Sequence, residues 1–387
     1  MPAVTEQICY NCFKERPDAQ EMGPCPYCGF DLRENQEEYP TALKAGTLLN
    51  QRYLIGRVLG QGGFGITYLA WDESLEAKVA VKEYMPGELA DRTEGRMVHV
   101  ISGSRQEEFS YGQERFQEEA RILAKFMGQP GIAGVTDYFD ENGTSYFVMD
   151  YIEGISFKTY IAGAGGKVSV QEALDVMIPV LRALTAVHGE GLIHRDVTPD
   201  NIYITKDGNV KLLDFGSARY SLGDKSKSLD VILKVGYAPK EQYIRRGRQG
   251  PYTDVYPCAA CLYAATTGYL PPESLERLDH DALVPPSKAG VEIPLYLERA
   301  ILKGLAVQPE DRFQTAGEFL EALENQRVVE LAPERAGAQA LSEAAPSGKK
   351  KPYPLLAGGA PLVLAAAGAV MVLLGERGGN SAQGMED

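Results

Sequence analysis

The feature that most constrains the fold is a glycine-rich stretch, GQGGFG at residues 60–65, with strand-like sequence on both sides. Glycine lets backbone N–H groups approach phosphate oxygens closely and permits backbone angles that a Cβ would forbid. By itself the stretch is a weak signal, because glycine-rich hairpin turns are common. A dinucleotide-binding fold needs a helix after such a loop, but residues 66–72, ITYLAWD, have the pattern of a strand. The stretch therefore predicts a phosphate-binding turn between two strands and argues against a Rossmann fold.

The sequence around this loop divides into a strand-rich part and a helix-rich part. Short runs at 53–60, 66–72 and 78–85 predict an antiparallel meander. Apolar spacing predicts an amphipathic helix over 114–127, and a strand pattern returns at 145–154 before the sequence becomes mostly helical. The apolar face of the helix is expected to carry Phe116, Ala120, Leu123 and Met127. We therefore expect an α+β fold with a small sheet lobe, a larger helical lobe and a cleft between them.

Size and charge narrow the class of protein. The chain has 387 residues, more than one hydrophobic core usually serves, so at least two structural units are expected. Its net charge of −14 argues against nucleic acid as a partner, because phosphate binding needs a basic face. The first 12 residues lack the apolar run of a secretion signal. The six cysteines are therefore expected in a reducing compartment, where paired cysteines indicate metal rather than disulfides.

Four of the cysteines form two Cys-x-x-Cys pairs, Cys9/Cys12 and Cys25/Cys28, separated by 12 residues. Two such turns let four thiolates converge on Zn²⁺, and so short a segment needs a metal to fold. The segment resembles a zinc ribbon over residues 1–38; iron binding or a redox pair is the alternative. Because its acidic side chains outnumber its basic ones, we expect a protein-docking or regulatory module rather than a nucleic-acid-binding one.

A second feature lies near the other end of the chain. Residues 355–374 carry no charge, and 20 residues are enough to cross a hydrocarbon core as a helix. Three lysines at 349–351 precede this run, so the bulk of the chain is expected on the cytoplasmic side of the cell membrane. Residues 326–354 then form a juxtamembrane linker and 375–387 a short outer tail. The alternative is a buried helix rich in alanine and glycine.

Several motifs follow one another in order between residue 53 and about residue 325. They are His-Arg-Asp at 194–196, Asn201, Asp214-Phe215-Gly216, an Ala-Pro-x-Glu element at Ala238, Pro239 and Glu241, Asp254 and Arg312. With them the chain resembles the eukaryotic-type protein kinases, specifically a membrane-anchored bacterial serine/threonine kinase. The resemblance implies a bilobal kinase domain over 45–325, with an N-lobe at about 45–152 and a C-lobe at about 153–325. It also implies transfer of the ATP γ-phosphoryl group to protein substrates.

The resemblance assigns the catalytic groups. Asp196 would orient the substrate hydroxyl and accept its proton, while Asn201 and Asp214 would hold Mg²⁺. Lys82 would position the phosphates of ATP and needs an anionic partner. Glu119 is expected to be that partner because it shares the inward face of helix 114–127. Its neighbour Glu118 should point outward, within reach of Arg121.

The resemblance also assigns the nucleotide pocket. Ala80 would pack on the adenine and Met149 would be the gatekeeper. The backbone of Asp150, Tyr151 and Ile152 would form the hinge that meets the base. The phosphates would lie under the loop that contains Gly60, Gly62, Gly63, Phe64 and Gly65.

Thr198 departs from the family pattern, because most serine/threonine kinases have a lysine two residues after the catalytic aspartate. That ammonium contacts the γ-phosphate and stabilises the transition state, whereas a hydroxyl supplies no charge. Two interpretations follow. Another cation or the metal ions replace the lysine and the enzyme is active, or the chain is a pseudokinase-like scaffold that binds ATP and transfers poorly. Because the other catalytic groups are present, we favour an active enzyme.

The loop between Asp214 and Glu241 holds the candidate regulatory residues, Ser226 and Ser228. A phosphoserine there could pair with Arg195 and order the loop; the alternative is a flexible polar loop. The connection 83–113 is long, and its sequence fits an extra hairpin on the small lobe, a surface insertion or a dimer contact equally well. A homodimer through the kinase domain or the membrane helix is a further expectation.

Other residues are expected to be structural. Asp254 would anchor the catalytic loop, and Glu241 would pair with Arg312 across the helical lobe. The third cysteine pair, Cys258 and Cys261, lies in an apolar helical run and fits small buried hydrophobes. No role is expected for His188 or His280.

Overall fold

The computed structural model describes residues 8–16, 23–92, 95–215, 219–220, 234–244 and 247–333. The strands within them are β1 (Leu48–Leu49), β2 (Tyr53–Gly62), β3 (Gly65–Asp72), β4 (Ala77–Tyr84), β5 (Ala90–Asp91), β6 (His99–Val100), β7 (Val135–Glu141), β8 (Thr144–Asp150), β9 (Gly154–Ser156), β10 (Leu192–Ile193), β11 (Ile202–Thr205), β12 (Val210–Leu212) and β13 (Arg219–Tyr220). The helices are α1 (Leu32–Glu38), α2 (Gln106–Ala124), α3 (Phe157–Gly163), α4 (Val170–Gly189), α5 (Lys240–Tyr243), α6 (Pro251–Thr267), α7 (Glu276–Asp279), α8 (Leu295–Gly304) and α9 (Ala316–Glu324).

The first lobe is built on a six-stranded antiparallel sheet in the order β1-β2-β3-β4-β8-β7. Its central strands are the meander that the sequence predicts, with the glycine-rich stretch as the hairpin between β2 and β3. Gly62 pairs with Gly65 at the end of that hairpin, which leaves Gly63 and Phe64 at its tip. Strand β8, predicted at 145–154, pairs with β4 and brings the end of the lobe to the cleft.

Helix α2 packs against this sheet but begins eight residues earlier and ends three residues earlier than predicted. Met127 does not belong to its apolar face. The side chain is 63% exposed because the helix ends at Ala124, and Phe126 in the following turn is buried instead. The other three predicted residues of the face are buried: Phe116, Ala120 and Leu123.

The long connection before α2 contains a hairpin, β5–β6, that packs on the small lobe. Arg92 reaches from this hairpin into the lobe and forms a buried ion pair with Glu83. The carboxylate also accepts hydrogen bonds from the hydroxyls of Tyr68 and Tyr146, each at 2.6 Å. Arg92 donates a further bond of 2.7 Å to the carbonyl of Thr41. Of the three interpretations that the sequence left open, the structure shows the docked hairpin.

The second lobe is helical. Helix α6 is buried along nearly its whole length, as expected of a helix that is apolar on all sides, and it packs against α4, α8 and α9. Cys258 and Cys261 lie on α6 and are fully buried, in agreement with their expected packing role. Helix α4 begins with a capping box between Ser169 and Glu172. The segment after β12 faces the first lobe, where Asp214 lies 3.2 Å from Lys82 of β4.

The segment with the first two cysteine pairs packs on the edge of β2, just before the glycine-rich hairpin. The backbone N–H of Arg57 donates to the carbonyl of Tyr10 at 2.9 Å. The side-chain amide of Asn35, on α1, accepts from the N–H of Val58 at 3.0 Å and donates to its carbonyl at 3.4 Å. This segment therefore satisfies backbone groups on the exposed side of β2.

In the part of the chain that the structure describes, no helix has the length and apolarity that crossing a membrane requires. The predicted spanning segment 355–374 and the tail 375–387 lie outside the described residues, as does most of the linker 326–354. Membrane anchoring stays a prediction.

Candidate active site

The loop after β10 carries the His-Arg-Asp motif, and Asp254 at the start of α6 holds it in place. The buried Asp254 carboxylate accepts the backbone N–H groups of His194 and Arg195, both at 2.7 Å. It also contacts Nε2 of His188 at 2.9 Å. Burial would raise the pKa of Asp254, but the hydrogen bond with His188, the nearby His188 and His194 rings and the backbone N–H of Arg195 outweigh it and lower the pKa. His188, for which no role is predicted, therefore helps to hold Asp254 in place beneath the catalytic loop.

Within this loop Asn201 orients Asp196. The side-chain Nδ2 of Asn201 donates to the backbone carbonyl of Asp196 at 2.8 Å and to its Oδ2 at 2.9 Å. The backbone N–H of Asp196 points at Nδ1 of His194, 3.3 Å away. One carboxylate oxygen of Asp196 is thereby held, and the half-buried group stays partly open to solvent.

Lys82 on β4 lies between two carboxylates. Its Nζ is 2.8 Å from Oε1 of Glu119 on α2 and 3.2 Å from Oδ1 of Asp214 after β12. Burial would lower the pKa of Lys82, but the two carboxylates raise it well above its usual range. The ammonium therefore stays charged in the cleft, and the structure brings together the lysine and the glutamate that sequence spacing pairs.

Glu118 points outward, as predicted, but its partner is not Arg121. Its carboxylate lies 2.5 Å from Arg115, one helical turn earlier, with both side chains more than a third exposed. The geometry of α2 allows a contact three residues in either direction. Sequence spacing could not choose between them.

Phe215 fixes the position of Asp214. Its ring is buried between Phe126, with ring centres 6.3 Å apart, and His194, at 4.5 Å. Asp214 itself has a positive φ of 61°, and its side chain is about half exposed beside Lys82. Burial of Phe215 thus turns the aspartate toward the cleft, the arrangement in which a kinase can hold metal-bound phosphate.

The predicted adenine site lies where β4 and β8 pair. Ala80 and Met149 are directly opposite each other in the register of these strands. The side chain of Asp150 turns away from this point, because its Oδ2 accepts the N–H of Gly134 at 2.9 Å. The chain leaves β8 after Asp150, so the backbone of the following residues, including Tyr151 and Ile152, forms the connection between the lobes.

The glycine loop offers space rather than unusual backbone angles. None of Gly60, Gly62, Gly63 and Gly65 has a positive φ, so the expectation that they supply angles forbidden to a Cβ is wrong. A Cβ at the first three would meet nothing within 4 Å. At Gly65 it would lie 2.1 Å from the carbonyl oxygen of Glu83 on β4, so this glycine is required for strand pairing. Phe64 at the tip is 47% exposed.

Sequence reasoning missed a contact of Thr198. Thr198 is 2% exposed, and the ammonium of Lys234 lies 3.0 Å from its Oγ1. Lys234 also lies 3.4 Å from Oδ2 of Asp200, whose Oδ1 is 3.1 Å from Lys158. Lys234 lies two positions before the Gly-Tyr-Ala-Pro run, and no pattern in the sequence connects it with Thr198. Ser226 and Ser228, the candidate regulatory residues, lie outside the described residues.

Glu241 and Arg312 form the expected pair in the helical lobe. The guanidinium contacts both carboxylate oxygens, at 2.7 and 3.1 Å, and both side chains are buried. Arg312 also donates to the carbonyls of Ala306 and Val307. The pair joins α5 to the segment before α9.

The four cysteines near the start of the chain form one cluster, called here the cysteine cluster: Cys9, Cys12, Cys25 and Cys28. All four Sγ atoms lie within 4.8 Å of one another, with Cys9 and Cys28 3.6 Å apart. Gly29 has a φ of 70°, as a tight turn after the second pair requires. Nearby, the ring of Phe13 packs on Trp71 of β3, with ring centres 5.5 Å apart.

Residues 53–284, which carry the lysine, the catalytic loop and the glycine hairpin, match the family model of the protein kinase domain. This chain belongs to the protein kinase family. The kinase is 33% identical to the serine/threonine-protein kinase PknA of Nostoc sp. and 32% identical to PrkC of Bacillus subtilis. These alignments cover 72% and 70% of the chain but only 48% and 40% of the relatives.

Solved structures agree with this assignment. The kinase is similar to the structure titled "PpkA-294 apo form", with a TM-score of 0.65 and 36% identity. The match covers 73% of this chain and 99% of that chain. The predictions of a bilobal kinase fold and of a bacterial serine/threonine protein kinase domain of eukaryotic type are confirmed. The exact domain boundaries stay predictions.

Proposed function

We propose that this kinase transfers the γ-phosphoryl group of ATP to serine or threonine hydroxyls of proteins. The observation that carries the proposal is the position of Lys82, 2.8 Å from Glu119 and 3.2 Å from Asp214. The ion pair of Lys82 with Glu119, and an aspartate placed to hold Mg²⁺ beside the phosphates, belong to the active arrangement of a protein kinase. The serine/threonine specificity is supported by the names of the relatives.

Each catalytic side chain would then have one task. Asp196 orients the substrate hydroxyl and accepts its proton, and Lys82 holds the α- and β-phosphates. Nδ2 of Asn201 donates both of its bonds to Asp196, so its Oδ1 is the atom that can face a metal. Together with the half-exposed carboxylate of Asp214 it offers the hard oxygen ligands that Mg²⁺ prefers. Bound Mg²⁺ would offset charge on the phosphate oxygens.

The test uses the full chain with labelled ATP, Mg²⁺ and a generic acceptor protein. Asp196→Asn should abolish labelling, and phosphoamino-acid analysis of the wild-type product should find phosphoserine and phosphothreonine. Asp207→Asn is the matched control, because Asp207 is exposed in the turn between β11 and β12. Equal labelling by the wild type and Asp196→Asn would rule out the enzyme.

The second candidate function is an ATP-binding scaffold, and the observation that favours it is Thr198 in place of a lysine. A scaffold would bind ATP with Mg²⁺ but label neither itself nor the acceptor. The same experiment, combined with a measured ATP affinity, therefore separates the two functions.

We further propose that the cysteine cluster holds a structural Zn²⁺ ion. The proposal is supported by four thiols within 4.8 Å of one another, the ligand set of closed structural zinc sites. Metal analysis of the purified chain should find one zinc per chain, which Cys25→Ser should remove. Cys258→Ala is the control, because Cys258 is buried in α6, and its zinc content should equal that of the wild type. Iron, or no metal in either protein, would overturn the proposal.

We also propose that residues 355–374 anchor the kinase in the cell membrane with its kinase domain in the cytoplasm. The uncharged run and the three preceding lysines support this. Deleting 355–374 should move the chain from the membrane fraction to the soluble fraction, whereas deleting 375–387 should not. The expected homodimer would appear as a doubled mass in detergent, and the same deletion would show whether the membrane helix is responsible.

A further inference from the structure

The catalytic loop lacks a positive charge of its own at the point where phosphoryl transfer needs one. The transferring group carries negative charge on its oxygens throughout the reaction, and a fixed cation beside it stabilises the transition state. Thr198, two residues after Asp196, supplies only a hydroxyl. A cation from elsewhere in the fold would have to reach the same place.

Lys234 reaches that place from a different segment. Its Nζ lies 3.0 Å from Oγ1 of Thr198, which is buried, while the lysine side chain itself is 37% exposed. Its backbone is also held, because the carbonyl of Lys234 accepts the N–H groups of Tyr237 and Ala238, both at 3.1 Å. The turn that results needs Gly236, whose φ is 83°.

The same segment is joined to the catalytic loop at a second point. Gln242 on α5 donates from Nε2 to the backbone carbonyl of Arg195 at 2.8 Å. Lys234 and the catalytic loop are therefore connected on both sides of the Gly-Tyr-Ala-Pro run. The turn at 234–238 and the Gln242–Arg195 hydrogen bond therefore hold the backbone of Lys234 close to the catalytic loop.

The acidic groups around Lys234 are too few to neutralise its ammonium group, which leaves that charge available to a phosphate. Its one acidic contact in the described residues is Asp200 at 3.4 Å, and Asp200 is shared with Lys158 at 3.1 Å. One carboxylate therefore faces two ammonium groups. Lys82, by contrast, faces two carboxylates on the other side of the cleft.

We propose that Lys234 is the catalytic cation of this kinase, contacting the γ-phosphate from the position that Thr198 sets by accepting its hydrogen bond. In the transfer, the substrate hydroxyl oxygen forms a bond to the γ-phosphorus and the bond to the β-phosphate oxygen breaks. The hydroxyl proton passes to Asp196 and ADP leaves. Lys234 keeps its proton and forms no covalent bond. The inference rests on the proposed kinase activity.

Three variants of the full chain test this role. Lys234→Ala should lower kcat about 100-fold, the effect of removing one transition-state donor. Lys158→Ala is the matched control, since it also loses a contact with Asp200 but none with Thr198, and should keep its activity. The double variant Thr198→Lys/Lys234→Thr returns the ammonium to the catalytic loop and should recover turnover relative to Lys234→Ala.

Nucleotide affinity separates a catalytic role from a structural one. Lys234→Ala should weaken binding of a non-hydrolysable ATP analogue with Mg²⁺ but leave ADP binding unchanged, because ADP has no γ-phosphate. Equal loss for both nucleotides, or turnover equal to that of Lys158→Ala, would overturn the proposal. If Lys234→Ala does not fold, the double variant decides: turnover supports the proposal, and a folded protein without turnover overturns it. If the wild type is inactive but Lys234→Ala still weakens binding of the ATP analogue and not of ADP, the result contradicts the proposed function and not the contact of Lys234 with the γ-phosphate.

Discussion

The ammonium of Lys82 lies 2.8 Å from Glu119, while Glu118, the preceding residue on α2, faces solvent and pairs with Arg115. Neutralising Glu119 should displace Lys82 from the phosphates. We expect Glu119→Gln to lower kcat/KM about 100-fold, the size of effect that misplacing a positioning group produces. Steady-state labelling kinetics measure this. Glu118→Gln removes the same charge one residue away and should leave kcat/KM unchanged; equal losses in both variants would contradict the assignment.

The buried carboxylate of Asp254 should make stability depend on pH. Its pKa is lowered in the folded state, so its ionised form stabilises the fold above the unfolded-state pKa, about 3.9. This contribution is lost as pH falls through the lower, folded-state value. Asp254→Asn should therefore cost about 2–3 kcal/mol near neutral pH.

Urea unfolding of both proteins at a series of pH values checks this. The difference in the free energy of unfolding between the wild type and Asp254→Asn should be constant from pH 7 to about 5 and shrink below about 4. A difference that stays constant into acid would show that Asp254 does not contribute as an anion.

Replacing only one partner of the Glu241–Arg312 pair should lower the free energy of unfolding far more than replacing both partners. Arg312→Met leaves a buried carboxylate without its bidentate partner and should cost about 3–5 kcal/mol. The double variant Arg312→Met/Glu241→Leu should be more stable than Arg312→Met alone. The midpoint of urea unfolding measures both. Additive losses would indicate that the two residues act independently.

The chain has a single tryptophan, Trp71, and its ring contacts Phe13 beside the cysteine cluster. If a metal ion holds that segment together, a strong chelator should release Phe13 and shift the tryptophan emission to longer wavelength as water reaches the ring. Phe13→Ala should already show the shifted spectrum and respond little to the chelator. If the chelator does not change the emission spectrum of the wild type, the packing of Phe13 on β3 does not depend on a bound metal ion.

Sequence patterns predict the sheet well because its inner strands are short runs rich in β-branched and aromatic residues, bounded by turn residues. The pairing of Lys82 with Glu119 follows from helical spacing on α2. The start of α2 is not predicted, because its first two turns are mostly polar and contain Gly112, although the buried Phe109 lies on the same face seven residues before Phe116. His188 and Lys234 could not be predicted, since each meets its partner, Asp254 or Thr198, only when segments distant in sequence fold together.

The burial of Arg92 against Glu83 has a consequence for anyone who wishes to shorten this kinase. Trimming the β5–β6 hairpin to a tight turn would leave the Glu83 carboxylate in the centre of the small lobe with two tyrosine hydroxyls as donors but without its guanidinium. A minimal version of the domain would therefore need a neutral side chain at position 83, introduced together with the deletion.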